Sequence, residues 1–564
     1  MKSFLAFAAI VAVVAAIWFA NQPSAKPPAA AALAPTAAMI PANALAIRFV
    51  YGSEKQAWIE AVTKDFNGRK VQVAGQAVFV TAEAKGSGEL VDDVLAGRDQ
   101  ADLISPASAA FITLANARSK VASGKDLVAK SESVVLSPVV IAMWKPMAEA
   151  LGWPAKKLGW SDIHGLAQSP TGWAGLGQAQ WGRFRFGHTH PEFSNSGLQS
   201  LLAATYAAAG KQQDLSVADV QTPAVADFVR GLERSVVHYG SSTGFFAKRM
   251  FANGPGYLSA AVLYENLVIE ANQATPPPSF PVVAIYPREG TFWSDHPTGI
   301  VERPWVSNLK RQACDAYLKF LLDRPQQEAA LRFGFRPAAV EVALAAPVDA
   351  AHGVDPKEPA TTLPTPPADV IDAAIVMWRA AKKPAHVVLA IDVSGSMEDD
   401  NKIAGARAGA AEFISMLSDA DKLSVLTFSS QPQWVSQDQP MKTGRAEASR
   451  QVSSLIAQGK TALHDAIAQA VARLKADPDP DAIKAVVVLS DGGDTTSSTS
   501  LEALLTQIDP GPESGGAIRV FTIAYGKDAS KDVLKRIAER TQAKAFTGST
   551  SDIRSVFRDI ATFF

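Results

Sequence analysis

The sequence predicts an α/β protein with two bodies, the second of which is a doubly wound parallel sheet. Two apolar runs in the last third, residues 387–391 (VVLAI) and 485–489 (AVVVL), are typical of buried parallel strands, and an aspartate follows each within two residues. Between residues 43 and 340, short strands end in Gly/Ser turns before helices, which also indicates an α/β fold. A Pro-rich linker with a helix, residues 341–383, separates the bodies.

Length and composition limit the class of protein. A chain of 564 residues exceeds a single core, so two or three domains are expected. The 54 Lys+Arg against 55 Asp+Glu residues lack the basic excess of a nucleic-acid binder. Cys314 is the single cysteine, so no intramolecular disulfide forms, and we expect it to pack as a small hydrophobe.

The N-terminus carries an apolar run, residues 4–20, behind Lys2. The run is long enough to cross a bilayer, and we predict residues 1–22 as a signal or membrane anchor that leaves the body extracytoplasmic, periplasmic or extracellular. An uncleaved anchor is favoured, because cleavage after Ala20 or Ala25 lacks a small-x-small site; a cleaved signal of a secreted protein is the alternative. Residues 23–42, rich in Pro and Ala, predict a semi-rigid spacer.

The first body, residues 43–340, reads as alternating strands and helices. Its periodicity predicts strands at residues 44–51 and within 71–81, and a helix at 54–66. Further along, a helix is predicted at 198–208, and residues 234–239 read as a strand.

The first body resembles the bacterial extracellular solute-binding family in two sequence segments, HPEFSNSG at residues 190–197 and YPREGTFWSDHP at residues 286–297. The resemblance covers roughly residues 43–340. It implies a two-lobed, periplasmic-binding-protein-like fold with a small ligand in the cleft. A cleft that only shapes a scaffold stays open as an alternative.

Within such a fold, ligand contacts are expected from the turns that precede helices. The Ser-Asn-Ser-Gly segment at residues 194–197 suits an oxyanion through hydroxyls, main-chain N–H groups and the helix dipole. For each residue, a helix cap is the competing interpretation. The predicted contacts are Ser53, Ser87, Ser105, Ser194, Asn195, Ser196, Tyr264 and Glu265.

Two patterns in the first body could indicate an enzyme or a zinc site. Residues 240–244 (GSSTG) match the G-x-S-x-G nucleophile elbow, with Ser242 as nucleophile and His296 or His352 as base. His188 and His190 form a His-x-His pair, but no further zinc ligands gather at usable spacing. The solute-binding resemblance accounts for the same residues, so no enzyme is predicted and a serine hydrolase stays a third alternative.

The linker ends in a predicted helix at residues 370–382, after a Pro-rich stretch that indicates an extended connector. Ile371, Ile375 and Trp378 recur at helical spacing, so this helix is expected to pack against one of the bodies. Trp378 is expected in the core.

In the second body, residues 384–564, predicted strands and helices alternate along the chain. After the strand at 387–391, the pattern predicts a helix at 403–417, a strand at 422–428, helices at 445–456 and 462–475, a strand at 485–489, a helix at 501–508, a strand at 519–525, and helices at 531–538 and 551–563. Thr461 is expected to open the helix that runs to Lys475. This order predicts a doubly wound sheet whose site lies at the carboxyl ends of the strands.

That edge carries oxygen ligands. Asp392, Ser394 and Ser396 follow the first strand, and Asp491 follows a later one. Carboxylates with nearby hydroxyls are a donor set for hard cations. Together with Thr461, these residues resemble the metal-ion-dependent adhesion site of the von Willebrand factor type A family, which has a Rossmann-like fold; the resemblance covers roughly residues 384–564. It implies Mg²⁺, or Mn²⁺ or Ca²⁺, held by the five residues, with a partner's carboxylate in an open position.

The sequence therefore predicts an extracytoplasmic binding protein. The metal site is expected to bind a partner protein, and the first body a small ligand. The alternative is the substrate-binding component of a solute transport system, in which the second body only docks the complex. No nucleic-acid partner is predicted.

Overall fold

The computed structural model describes residues 40–479, 481–509 and 518–564. The predicted anchor, residues 1–22, and nearly all of the spacer, residues 23–42, lie outside the described residues. Within the described part, no helix has both the length and the apolar character needed to span a membrane. Asn43–Phe564 form one compact unit.

The first lobe of the first body is built on a six-stranded sheet. Its strands are β1 (Leu45–Gly52), β2 (Gln72–Val73), β3 (Gln76–Lys85), β4 (Leu103–Ser105), β5 (Val128–Ser133) and β11 (Pro297–Val301). The order across the sheet is β2-β3-β1-β4-β11-β5. Strands β3, β1 and β4 run parallel, so their carboxyl ends meet at one edge. That edge faces the second lobe.

Helices flank this sheet. They are α1 (Gln56–Arg69), α2 (Ser87–Leu95), α3 (Ala109–Ser123), α11 (Asn308–Leu322) and α12 (Arg324–Arg332). The helix predicted from residue 54 begins later, at Gln56, because Ser53–Lys55 forms a 3-10 turn directly after β1. Cys314 is buried in α11, as expected from the sequence.

The second lobe has a mixed sheet of order β10-β6-β8-β7, with β9 and β12 also paired to β6. The strands are β6 (Val135–Trp144), β7 (Phe186–Gly187), β8 (Ala260–Tyr264), β9 (Val282–Ile285), β10 (Trp293–Ser294) and β12 (Arg336–Pro337). The helices are α4 (Lys145–Ala150), α5 (Trp160–Gln168), α6 (Asn195–Ala209), α7 (Val217–Val220), α8 (Pro223–Glu233), α9 (Thr243–Asn253) and α10 (Glu265–Gln273).

Residues 234–239 do not form the predicted strand. Only Val236 makes an isolated bridge, to Phe186. Turn hydrogen bonds hold the start of the segment, and the Tyr239 N–H donates to the Phe563 oxygen of the second body at 3.3 Å. The prediction was wrong because strand pairing is limited to one residue: the Phe186 N–H donates to the Ser235 oxygen at 2.9 Å, and the Val237 N–H donates to the Phe186 oxygen at 3.2 Å. The remaining main-chain partners lie in a turn and in the second body, which local periodicity does not reveal.

The chain crosses between the lobes three times, from β5 to β6, from β10 to β11 and from α12 to β12. At the crossing, the Val134 N–H donates to the His296 oxygen at 3.3 Å. His296 has a φ of 39°, a left-handed conformation uncommon for residues other than glycine. The first two crossing segments are thus tied to each other at the hinge.

The linker packs onto the rest of the protein through α13 (Ala368–Ala381). Trp378 is fully buried, and its indole N–H donates to Glu233 Oε1 at 3.1 Å, which confirms the expected core position. A single apolar cluster continues from the second lobe through this helix into the second body.

The second body is a six-stranded sheet of order β15-β14-β13-β16-β17-β18. Its strands are β13 (Ala385–Asp392), β14 (Lys422–Phe428), β15 (Pro432–Pro440), β16 (Ile483–Ser490), β17 (Arg519–Tyr525) and β18 (Ala545–Gly548). Its helices are α14 (Lys402–Met416), α15 (Met441–Ser453), α16 (Leu463–Lys475), α17 (Leu501–Gln507), α18 (Lys531–Arg540) and α19 (Ile553–Ala561).

Five of these strands are parallel, and the predicted doubly wound sheet is confirmed. The antiparallel edge strand β15 was not predicted. Its sequence, PQWVSQDQP, is polar and begins and ends with proline, features that a strand tolerates only at an edge.

Candidate metal centre and lobe contact

The centre of the candidate metal site is Asp392, the last residue of β13. Its carboxylate is fully buried. Oδ1 accepts a hydrogen bond from the Ser394 N–H at 2.9 Å, and Oδ2 accepts one from Ser490 Oγ at 2.6 Å. Because β13 and β16 are parallel neighbours in register, Ser490 ends its strand beside Asp392. These bonds hold the carboxylate at the sheet edge.

A chain of hydrogen bonds then links the other predicted ligands. The hydroxyls of Ser394 and Ser396 lie 3.1 Å apart, and Ser396 Oγ donates to Asp491 Oδ1 at 2.8 Å. Asp491 directly follows β16 and is buried. Residues separated by almost a hundred positions therefore meet at one point.

Thr461 lies in a loop of the same edge. The expectation that it opens a helix was wrong: α16 begins at Leu463. The Thr461 N–H donates to Thr495 Oγ1 at 3.0 Å, and its oxygen accepts from the Thr495 N–H at 2.8 Å. Two further main-chain bonds join this loop to β13's loop, since Gly395 N–H donates to Gly459 O and Gln458 N–H donates to Val393 O. Pairing of the Thr461 main chain with the loop after β16 is why it is not helical.

The donor set fits a hard divalent cation. Two carboxylates and two serine hydroxyls form the hydrogen-bonded cluster, and Thr461 lies on the adjoining loop. Burial, with a smaller effect from the charge of Asp491, raises the pKa of Asp392 to about 6, although the hydrogen bonds from Ser394 and Ser490 oppose the rise. Among the described residues, no group of three or more His, Cys, Asp or Glu side chains could hold a metal, so a metal here depends on hydroxyl and water oxygens.

Two residues of this site were missed by sequence reasoning. Ser490 Oγ donates a hydrogen bond to Asp392 Oδ2 and holds the carboxylate in place, as described above. Lys402, the first residue of α14, places Nζ 2.5 Å from Asp491 Oδ2. The serine could have been found, since it is the strand's last residue beside an expected ligand; no sequence signal distinguishes the lysine from other helix-start lysines.

In the first body, the residues predicted to contact ligand, except for Glu265, are buried where the two lobes meet. Ser53 and Ser242, from opposite lobes, share a hydrogen bond between their hydroxyls, and Ser53 Oγ accepts one from the Gly244 N–H at 3.0 Å. Ser87 Oγ accepts from the Ala107 N–H at 2.9 Å. These hydroxyls therefore bond to protein groups.

The Ser-Asn-Ser segment sits at the start of α6, as predicted, although the helix begins earlier, at Asn195. Ser108 of the first lobe donates to Asn195 Oδ1 at 2.6 Å. Asn195 Nδ2 donates to Tyr264 OH at 3.0 Å. Thr243 Oγ1 lies 3.1 Å from Ser194 Oγ and 2.8 Å from Ser196 Oγ. This polar network joins both lobes.

Glycines bring the lobes' backbones together. A Cβ on Gly86 would lie 2.3 Å from the oxygen of Ser241 in the opposite lobe. A Cβ on Gly244 would lie 2.5 Å from the Ser53 oxygen. Gly88 also donates its N–H across the contact, to Phe193 O at 2.9 Å. The lobes thus meet main chain to main chain, which larger residues would prevent.

Glu265, another predicted contact, lies elsewhere in this arrangement. Its carboxylate accepts two hydrogen bonds from Arg336, at 2.8 and 2.7 Å, and a third from the Tyr286 hydroxyl. This fully buried, bidentate pair holds β12 against α10.

A charged cluster at the hinge was not singled out from the sequence. Lys55 Nζ lies 2.7 Å from Glu54 Oε1 and 3.2 Å from His296 Nδ1, and all three side chains are buried. Burial opposes ionisation of Glu54, but Lys55 and His296 outweigh it and lower its pKa to about 2. Burial, with the Lys55 charge, lowers the pKa of His296 to about 4.

Three buried polar atoms near this hinge have no hydrogen-bond partner among the described residues: Ser105 Oγ, His296 Nε2 and Thr298 Oγ1. Ser105 ends β4, and the antiparallel register of β11 sets Thr298 opposite it. Unsatisfied buried polar groups are costly, so these atoms mark a place where a polar ligand or water would be favourable.

The residues considered for hydrolysis have other partners. Ser242 pairs with Ser53, His296 with Glu54 and Lys55, and His352 with Asp349 at 2.8 Å. Of the histidine pair, His188 Nε2 donates to Glu233 Oε1 at 3.0 Å inside the core. These contacts are structural.

Comparison with known families matches this architecture. The family model described as bacterial extracellular solute-binding protein matches residues 47–336, and that described as von Willebrand factor type A domain matches residues 386–559. Because the first match covers more than half of the 564 residues, the chain belongs to the bacterial extracellular solute-binding protein family, and it also carries a von Willebrand factor type A domain. The resemblance to each family is confirmed, while the five-residue metal site stays a prediction. The two families support a binding function and an extracytoplasmic type of solute-binding body.

The chain is similar to curated proteins over part of its length. An uncharacterized protein of Mycobacterium tuberculosis is 25% identical over 240 residues, which cover 41% of this chain and 33% of that protein. An uncharacterized protein of Synechocystis is 27% identical over 184 residues, covering 32% and 40%. The chain thus spans about a third to two fifths of the length of these relatives.

Solved structures show similar partial matches. A periplasmic thiamin binding protein is 15% identical, with a TM-score of 0.44 over 60% of this chain and 96% of that one. A von Willebrand factor type A protein from Catenulispora acidiphila is 24% identical, with a TM-score of 0.27 over 32% and 42%.

Proposed function

We propose that this protein binds a partner protein through a divalent ion at the carboxyl edge of the second body's sheet. The observation that carries the proposal is the hydrogen-bonded cluster of Asp392, Ser394, Ser396 and Asp491, with the Thr461 loop tied beside it. Such an oxygen set suits Mg²⁺, Mn²⁺ or Ca²⁺. When bound, the ion supplies positive charge and an open coordination position for a partner's carboxylate.

Isothermal titration of Mg²⁺, Mn²⁺ and Ca²⁺ into the full chain tests the metal site. One ion per chain is expected to bind, and Asp392→Asn and Asp491→Asn are each expected to abolish binding. Asp400→Asn is the matched control, because Asp400 is exposed and asparagine tolerates its positive φ. Failure of the unaltered chain to bind any of the three ions, or binding unaffected by both substitutions, would reject the proposal.

Carboxylate recognition needs its own test. Acetate added to the Mn²⁺-loaded chain is expected to lower the water-proton relaxation rate, because it displaces coordinated water. The Asp491→Asn variant should show no such change. A partner would then be expected to bind this chain in an EDTA-sensitive manner, and an EDTA-insensitive complex would assign the partner to another surface.

For the first body, we propose a small polar ligand between the lobes. The three unpartnered buried atoms, Ser105 Oγ, His296 Nε2 and Thr298 Oγ1, favour it. Except for Glu265, the predicted contact residues lie around the same lobe junction, and the direct bonds that Ser53 and Asn195 make across it would have to open for the ligand to enter. The substrate-binding component of a transport system, which is the alternative function, would bind its ligand in the same place.

Thermal-shift screening of small oxyanions and sugars with the full chain tests this second function. A stabilising ligand is expected to lose at least tenfold in affinity in Ser105→Ala, since that hydroxyl would donate to it. Ser131→Ala, at an exposed position on strand β5 of the same sheet, is the control. If no compound stabilises the chain, the first body is a scaffold.

The location that we propose is extracytoplasmic, with residues 1–22 as an uncleaved anchor. The apolar run at residues 4–20 and the solute-binding family support this placement. Membrane fractionation of the full chain, beside a chain that starts at residue 43, is expected to show membrane retention only for the full chain. Release of both forms would indicate a cleaved signal.

A further inference from the structure

The candidate metal centre contains a lysine, Lys402, in addition to the predicted oxygen ligands. Lys402 Nζ lies 2.5 Å from Asp491 Oδ2 and donates to the Ser396 main-chain oxygen at 3.1 Å. The lysine side chain is 8% exposed, and that of Asp491 is 0% exposed. The ammonium is therefore a buried charge within the ligand cluster.

Several contacts fix this lysine in place. Asp400 and Asn401 have φ values of 51° and 57°, which turn the chain sharply into α14 so that Lys402 faces the sheet edge. Tyr525 OH donates to the Lys402 main-chain oxygen at 3.0 Å. The alkyl chain passes Gly526, where a Cβ would lie 3.7 Å from its Cδ and Cε atoms. The position of the ammonium is thus built by three separate elements.

Charge at the site follows from these contacts. Asp392 and Asp491 carry up to two negative charges, and Lys402 is the cation seen among them. Both oxygens of Asp491 are engaged, Oδ1 by Ser396 and Oδ2 by Lys402. A divalent ion bound to this cluster would lie near the ammonium, and like charges a few ångströms apart in a buried site repel strongly.

We propose that Lys402 is a resident counter-cation of the metal centre, which stabilises the metal-free state and weakens the binding of divalent ions. This inference rests on the proposed metal-dependent function. In the metal-free state, Lys402 neutralises Asp491 and limits its repulsion with Asp392. When an ion binds, the same ammonium opposes it, so the centre is occupied only where the ion is plentiful or where a partner's carboxylate adds negative charge.

The expected effect of removing the ammonium has a definite sign. Lys402→Met keeps the length and apolar stem of the side chain but removes its charge. Its dissociation constant for Mg²⁺ and Mn²⁺ is expected to fall about tenfold or more. Its melting temperature in EDTA is expected to fall as well, because Asp491 loses its buried partner. If Lys402 instead positions Asp491 as a ligand, the substitution would weaken metal binding.

The test is isothermal titration of Mg²⁺ and Mn²⁺ into the full chain and its variants, with melting curves in EDTA. Lys402→Gln is the second variant, since it keeps a donor for Asp491 and so protects folding while removing the charge. Lys484→Met is the matched control: Lys484 lies near the other end of β16 and contacts the acidic Asp477. Its metal affinity should equal that of the unaltered chain.

The outcomes separate this inference from the proposed function. Tighter binding in both Lys402 variants, with an unchanged control, supports the inference. Equal or weaker binding in the variants overturns it, while ion binding by the unaltered chain leaves the metal-dependent function standing. Binding by the variants alone supports the inference and overturns the function in the unaltered chain. An absence of binding in every chain overturns both.

Discussion

Lys382 Nζ donates a hydrogen bond to the main-chain oxygen of Phe564 at 3.0 Å. The lysine ends the linker helix region, and Phe564 follows α19 of the second body. Asp421 Oδ1 lies 3.3 Å from the same Nζ. Beside this contact, the Phe564 ring packs edge-on against Phe521, with centroids 5.7 Å apart. Phe564 therefore connects the linker to the second body.

Removal of Phe563 and Phe564 is expected to destabilise the protein. The two rings are 5% and 3% exposed, and burying a phenylalanine contributes about 1.5–3 kcal/mol. A truncated chain should therefore show a lower urea midpoint. Phe280→Ala, at a position 40% exposed, is the control and should change the free energy of unfolding by less than about 0.5 kcal/mol. Equal effects from both changes would mean that the contacts of Phe563 and Phe564 contribute no stability.

Thr461→Val should weaken metal binding about tenfold, a loss of about 1.4 kcal/mol, because it removes a hydroxyl oxygen from the loop beside the cluster while keeping the side-chain shape. Titration of Mg²⁺ measures the change. Thr506→Val, on the exposed face of α17, is the control. A dissociation constant unchanged in Thr461→Val would remove Thr461 from the ligand set.

Gly244→Ala should force the lobes apart. The new Cβ would lie 2.5 Å from the Ser53 oxygen across the contact, closer than any real Cβ contact. We expect a larger radius of gyration in small-angle scattering and a lower melting temperature. Gly68→Ala in α1 meets nothing within 4 Å and should stabilise that helix by about 0.5–1 kcal/mol. An unchanged radius in Gly244→Ala would show that the lobe contact yields without opening.

A pair of carboxyls at the junction of the two bodies should make stability depend on pH. Burial and, next to it, the charge of Asp559 together raise the pKa of Glu89, on α2, from 4.5 to about 8. Burial also raises the pKa of Asp559, on α19, to about 6, against the charges of Lys544 and Arg558. Arg558 Nη1 reaches across the junction to Asp93 Oδ1 at 3.4 Å.

The sign of this dependence follows from the raised pKa values. The folded protein holds the Glu89 proton more tightly than the unfolded chain, so its contribution to stability is full below about pH 4.5 and is lost as the pH rises to about 8. Glu89→Gln should therefore melt at a higher temperature than the unaltered chain at pH 8–9, with a smaller difference at pH 5. Glu132→Gln, at a partly exposed position on β5 where Lys130 pairs with the carboxylate, should show no such trend.

Much of the second body could be predicted from local pattern. The run at residues 387–391 has no polar position, which is typical of a strand that is covered on both faces. Asp392, the first charged residue after the run, was therefore expected at the end of the strand. Parallel strands bring their carboxyl ends to one edge, so Asp491 was expected beside Asp392. The position of Thr461 was expected there as well, but its helix start was wrong because a long-range main-chain pairing with Thr495 decides it.

Local pattern was enough to predict the two-body α/β organisation, the families and the candidate metal ligands, because these depend on periodicity and on residues that follow strands directly. The contacts of Lys402 with Asp491, of Ser53 with Ser242 between the lobes, and of Phe564 with Lys382 are seen only in the folded protein. Each of these contacts joins segments that lie far apart in the chain. Their partners are selected by packing of whole elements, which leaves no periodic trace in the local sequence.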